Sequence, residues 1–180
     1  MAPIATIAEL RKSGISAREV LRHCTPAGSW QRLLPGVVLT TPAPATRLDR
    51  LRAVLSFAGP SSVITGADAL VRQGAALSLP RHIHVLAGSN VRRANPWILL
   101  ERTTRPPAVV ERHGLRLARA ARAALDLARR ELNPRAIAEI LDAVVSARLC
   151  TPVELREELR VSSRRGTALV RQALCHRYPI

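Results

Sequence analysis

The sequence predicts an α+β chain: a helix pair with a β hairpin, then a small antiparallel sheet, then a C-terminal helical bundle. Three observations carry this. Two capping boxes, Thr6-Ile7-Ala8-Glu9 and Ser16-Ala17-Arg18-Glu19, open helices ten residues apart. From Pro80 the apolar period changes to two, through Arg81-His82-Ile83-His84-Val85-Leu86 and Pro96 to Arg102. The last third carries repeated helix-start signals and little strand pattern.

In each capping box the hydroxyl accepts from the backbone N–H three residues on, and the glutamate reaches back to the cap's own N–H. Ser13-Gly14-Ile15 supplies the turn between the helices, with Gly14 in the left-handed conformation. On the second helix Ala17, Val20, Leu21 and Cys24 form one stripe, predicted to face inward and to leave Arg18, Glu19, Arg22 and His23 outside. Gly28-Ser29 turns into the basic strand Trp30-Gln31-Arg32-Leu33-Leu34, and Pro35-Gly36 turns back into Val37-Val38-Leu39. Helix, glycine turn, helix and hairpin is the order of a winged helix-turn-helix, whose second helix enters a major groove while the wing follows the phosphates. The plain alternative is an ordinary αα-hairpin buried in another fold.

Thr40 to Ala45 reads as a proline-extended linker, which divides the chain into a DNA-binding unit over 1–41 and a second unit over 46–180. Thr46 opens a helix with Leu48, Leu51, Val54, Leu55 and Ala58 on one face, stopped by Gly59-Pro60. Ser62-Val63-Ile64 is a short strand. Thr65-Gly66-Ala67-Asp68 resembles another N-cap, and its helix stops at Gly74. The two strands after Pro80 are joined by the polar loop Gly88 to Asn95, and Val109-Val110 with Gly114 to Leu117 completes the expected antiparallel sheet. Helices follow over Ala118–Arg130, from Asn133-Pro134 to about Arg148, from Thr151-Pro152-Val153-Glu154, and after Ser163; Arg177 to Ile180 is expected to fray.

Of 180 residues, 28 are basic and 13 acidic, a net charge of +15 that points to a polyanionic partner, nucleic acid above all. Lys12 is the sole lysine, and the arginine and alanine enrichment partly reflects what a GC-rich genome encodes. Aromatics make up 2%, too few for the stacking platforms that single-strand binding uses. Cys24, Cys150 and Cys175 form neither a CxxC nor a disulfide framework, which fits a reducing compartment. With no leader pattern at Met1 and no apolar run of spanning length, a cytoplasmic protein without a membrane partner is expected.

The residues assigned to DNA are Ser16, Ala17, Arg18, Arg22 and His23 on the second helix and Trp30, Gln31 and Arg32 on the wing. Arg18 and Arg22 would address base edges or phosphates, and Ser16 with its helix N-terminus would hold a phosphate. Two copies on an inverted-repeat operator are expected. Residues 81–130 hold eleven basic and three acidic side chains. Arg92, Arg93, Arg102, Arg105 and Arg116 there form an additional basic surface, for DNA or for an acidic protein partner; the bland reading is a solvated face.

Ser29 to Val38 resembles the wing of the AbiEi-type antitoxin family, in particular its actinobacterial members. The similarity continues through Phe57-Ala58-Gly59-Pro60, Ile64 to Leu70, His82 to Leu86, Arg119 to Arg129, Thr151 to Leu155 and Arg164-Arg165-Gly166-Thr167-Ala168-Leu169. The resemblance implies an N-terminal winged helix that represses its own operon, an α/β C-terminal part, and a nucleotidyltransferase-like toxin as partner. Two departures stand out. Members of the family usually carry a further helix before the one at Thr6, and longer relatives continue past the Arg164-Arg165-Gly166 helix into a Vsr-like endonuclease domain.

Catalytic patterns are not found. The chain has no GxxxxGK[ST], GxGxxG or GxSxG, and the sole lysine, Lys12, lies two residues after Leu10 rather than after a carboxylate, so a D…ExK nuclease centre cannot be built. His82 and His84 share a strand face, read as a solvent-facing pair rather than a zinc site. His23-Cys24 and Cys175-His176 diverge on their helices and are not assigned to metal. The expectation is therefore a repressor and antitoxin with no enzymatic activity, cofactor or metal. The alternatives are a protein-interaction module that neutralises a toxin without touching DNA, and the non-catalytic targeting half of a split endonuclease.

Overall fold

Capping chemistry sets the first two helices where the sequence puts them. In the computed structural model, which describes residues 3–88 and 95–179, α1 (Ile7–Lys12) is closed by the Thr6/Glu9 box and α2 (Ala17–His23) by the Ser16/Glu19 box. Gly14 turns between them at φ 88°. The hairpin follows as β2 (Gln31–Leu34) and β3 (Val37–Leu39). A strand the sequence does not announce precedes them: β1 (Ile4–Thr6) pairs antiparallel with β3, giving the order β1-β3-β2. Three residues are too short to show a period, and their partner lies more than thirty residues away.

This small sheet is apolar on both faces. Ala5 and Val38 turn to one side and join Leu10 and Val20 of the helix pair. Ile4, Leu34, Val37 and Leu39 turn to the other and meet α3 (Arg47–Ala58), where Leu51 and Val54 are fully buried. Alternation along a strand produces this division. The core that starts beneath the sheet continues without a break into the rest of the chain.

The second sheet differs from the expected antiparallel one. Strands β4 (Val63–Ile64), β5 (Ile83–Ala87), β6 (Ile98–Arg102), β7 (Val109–Arg112) and β8 (Leu115–Ala118) form a mixed sheet in the order β6-β5-β4-β8-β7. β5 and β6 run parallel, as do β4 and β8; β4–β5 and β7–β8 are antiparallel. A polar connection of this length reads as a hairpin loop, whereas β6 begins beside the start of β5, with Ile98 opposite Ile83.

Around this sheet lie α4 (Gly66–Gln73), α5 (Ala120–Ala128), α6 (Pro134–Ser146), α7 (Pro152–Val161) and α8 (Ala168–Arg177). Asn133 caps α6 with Pro134 in its first turn, and the Thr151/Glu154 box caps α7, as the sequence predicts. The last helix starts at Ala168, four residues later than a start directly after Ser163. Of the residues expected to fray, Arg177 and Tyr178 are tied to α6. Arg177 forms a two-pronged pair with Asp142 at 3.0 and 2.7 Å, and the Tyr178 hydroxyl donates to the same carboxylate at 2.6 Å. Burial and that hydrogen bond push the Tyr178 hydroxyl up to about 12.

Candidate nucleic-acid interface

Helix α2 lies on the small sheet by a narrow contact. Val20 is its one buried residue, Cys24 and His23 are half-buried, and Ala17 is exposed. Leu21, predicted to face inward with them, is 55% exposed. An apolar stripe four residues wide is more than a seven-residue helix can bury against a sheet that offers only Ala5 and Val38 on this side. Arg18 and Arg22 are exposed, as are Arg11 and Lys12 at the end of α1 and Arg32 on β2. Among the described residues none of these five cations has a carboxylate within 4 Å.

The reason is local. The unit's two carboxylates are turned to their own caps. Glu19 Oε2 accepts from the Ser16 N–H and hydroxyl, both at 2.8 Å, and Glu9 Oε2 accepts from the Thr6 N–H at 2.7 Å and hydroxyl at 2.8 Å. Those backbone and hydroxyl bonds hold both glutamates below the usual carboxylate range. One consequence bears on Ser16. Its hydroxyl already serves the cap, accepting from the Glu19 N–H and donating to the Glu19 carboxylate, which also takes the Ser16 N–H.

The three residues assigned to a wing divide. Trp30 stacks on His23, ring centroids 4.5 Å apart and planes 22° from parallel, so both brace the end of α2. Gly28 makes this possible, since a methyl there would collide with the His23 carbonyl. The Gln31 amide donates to the Thr41 carbonyl at 3.1 Å and the Ala43 carbonyl at 2.6 Å. Both its hydrogens therefore clip down the 40–45 segment instead of facing solvent. Arg32 alone of the three points a charge outward.

The arginines assigned to the basic surface of the second sheet fare differently. Arg105 pairs with Glu158 and hydrogen-bonds Ser162. Arg116 is half-buried in a cleft with Thr6, Glu9 and Gly59, and Arg102 is exposed. Arg92 and Arg93 lie outside the described residues. His84, read as solvent-facing, is buried with Nε2 3.1 Å from Glu101 Oε2, while His82 is exposed. Thr65, read as a cap, makes no cap bond; its hydroxyl donates to Asp126 at 2.8 Å. No group of three or more His, Cys, Asp or Glu side chains suited to a metal occurs among the described residues. The three cysteines are free, and burial pushes the Cys150 thiol up to about 11.

Neither a family model nor a curated protein matches the chain. Among solved structures it is similar to the crystal structure of the RV2827C protein from Mycobacterium tuberculosis. That likeness has a TM-score of 0.59 at 15% identity, over 94% of this chain and 72% of the other. At that identity the likeness speaks for the α+β fold. No described helix is long and apolar enough to cross a membrane.

What the sequence missed here is Leu21, exposed between Arg18 and Arg22 on one presented helix. The signal was available: the facing strands offer only small or single contacts, too little to cover a four-residue stripe.

Proposed function

We propose that the chain is a sequence-specific, double-stranded-DNA-binding repressor and antitoxin, with residues 1–41 acting as a winged helix-turn-helix and 46–180 as the antitoxin-like part. The observation that carries this reading is the exposure of Arg18 and Arg22 on α2, a helix whose one buried residue is Val20. Seven residues span about 10 Å, a length that fits across a major groove about 12 Å wide. Leu21 between the two arginines offers an apolar contact for a thymine methyl. Arg32 on the wing and Arg11 and Lys12 on α1 supply phosphate contacts that position the helix. Ser16, Trp30, His23 and Gln31 then act by holding α2 and the wing in register instead of touching DNA.

Two copies on an inverted-repeat operator match this geometry in the way helix-turn-helix proteins use two half-sites. The AbiEi resemblance supports the antitoxin role and a nucleotidyltransferase-like toxin as protein partner. Nothing in this reading requires a cofactor, a metal or an enzymatic step.

The test is a fluorescence-anisotropy titration of the full chain with the DNA upstream of its own gene. Arg18→Ala and Arg22→Ala are each expected to lose about 1–3 kcal/mol where they read a base. Unchanged affinity in both variants overturns α2 as the reading helix. Co-purification with the product of the adjacent gene tests the antitoxin half separately.

A further inference from the structure

The end of α5 and the loop before α8 close on the β6 edge of the large sheet around a cleft of about 500 Å³. Arg129, Arg130 and Arg165 line it, together with Ser163 and Gly166. Glu101 is the one carboxylate among the lining residues. Three guanidiniums thus face a single counter-charge.

Glu101 is itself heavily engaged. It accepts from Arg129 through Oε1, and through Oε2 from Arg130 at 3.3 Å, with His84 Nε2 at 3.1 Å. The His84 hydrogen bond and then the Arg129 charge hold its carboxyl down at about 2, against the opposing effect of burial. Arg129 is further held by Asp126 at 3.2 Å. Arg130, by contrast, gives Glu101 a single long contact and is 43% exposed, which leaves most of its donor fork open to the cleft. Arg165 is exposed and, among the described residues, has no carboxylate within 4 Å.

The loop that carries Arg165 is fixed, and Gly166 fixes it. Gly166 sits at φ 71°, and a Cβ there would lie 2.9 Å from the Arg129 carbonyl. The loop backbone is therefore pressed onto the end of α5, and the Arg165 N–H donates to Ser163 Oγ at 3.3 Å. This contact brings Arg165 to the same opening as Arg129 and Arg130.

We propose that this cleft binds a phosphate-bearing small molecule of nucleotide size, gripped by Arg130 and Arg165, while Glu101 keeps Arg129 aligned as the third donor. Guanidinium forks match phosphate oxygens in pairs, and the volume falls in the usual range for small-ligand sites. Leu99, on the same strand face as Glu101, gives the organic part an apolar contact. No aromatic ring lines the cleft to stack a base, so recognition falls on the phosphate and not on base identity.

Isothermal titration of the full chain at low salt with ATP, GTP and pyrophosphate tests this, with a 5′-phosphorylated single-stranded oligonucleotide as the second source of the same chemistry. ATP and GTP should bind one site about equally, with pyrophosphate displacing both. Arg130→Ala and Arg165→Ala should each weaken binding at least about tenfold, as loss of a charge-assisted bond requires. Arg112→Ala, an exposed charge on β7 at the other edge of the sheet, should leave it unchanged. Glu101→Gln removes the resident anion and should tighten binding; if that variant fails to fold, Arg165→Ala on its exposed loop decides alone. No saturable binding, equal losses in Arg112→Ala, or binding of the oligonucleotide only, each overturns the proposal. Arg18→Ala and Arg22→Ala should not affect this site, so its fate is separable from that of the DNA reading.

Discussion

Residues 3–40 and the remainder of the chain treat their charges in opposite ways. In the first, Glu9 and Glu19 close helix caps and five cations face solvent unpaired. In the second, arginines are drawn inward. Arg47 pairs with the buried Asp68 at 2.6 Å, Arg122 with the buried Asp126 at 3.0 Å, and Arg129 with Glu101. Residues 81–130 carry the larger nominal excess of positive charge, yet four of their eleven arginines, Arg105, Arg122, Arg129 and Arg130, are paired with carboxylates within the fold. Net charge says how much is present; pairing says how much a polyanion meets.

The largest effect that tests this contrast lies in the interior. Asp126→Ala leaves Arg122 buried without its partner and should destabilise the chain by about 3–5 kcal/mol, read as a lower urea midpoint at unchanged slope. A change below 1 kcal/mol would mean that Arg122 is carried by Glu158, 3.8 Å away, and the inward pairing would lose its energetic meaning. Leu51→Ala comes next, at about 2–5 kcal/mol, since Leu51 is fully buried where α3 meets the small sheet. Because one core spans both regions, the two should still unfold in a single transition; separate transitions in residues 3–40 and the rest would break the comparison.

Acid gives a smaller, directional test. The Glu101 carboxyl is lowered in the fold from 4.5 to about 2, so its contribution is complete above pH 4.5 and is lost as pH falls from there towards 2. Glu101→Gln should flatten the stability profile in that window, measured by denaturant midpoints at each pH. Arg32→Ala on the other side should weaken DNA binding alike on all sequences and lower the salt slope by about one. The smallest effect is expected at the Arg135–Glu139 pair, 86% and 65% exposed, where Arg135→Ala should change stability by about 0.5 kcal/mol or less.

Much of the fold was legible because its signals are local. Thr6, Ser16, Thr46, Asn133 and Thr151 each sit within three residues of the groups they cap, and every one begins the helix expected of it. What escaped depends on distant partners. Thr65 has the look of a cap until Asp126, 61 residues on, takes its hydroxyl. Ile4 to Thr6 becomes a strand only because β3 is there to receive it, and β5 meets β6 in parallel across a connection short enough to suggest a hairpin. The proposed DNA-facing arginines were readable from helix phase. Which wing residues remain outward was not, since Gln31 is claimed by carbonyls ten and twelve positions away. The cleft at Arg129, Arg130 and Arg165 joins parts of the chain more than thirty residues apart and left no motif.

Strand β3 has a mechanical consequence. Val38 presses upward on the helix pair while Val37 and Leu39, its immediate neighbours, press downward on α3. A single backbone therefore serves as floor to one storey and ceiling to the next. Any tilt imposed on α2, by a duplex bound as proposed or otherwise, would be felt by α3 within one peptide's thickness, without a hinge to absorb it.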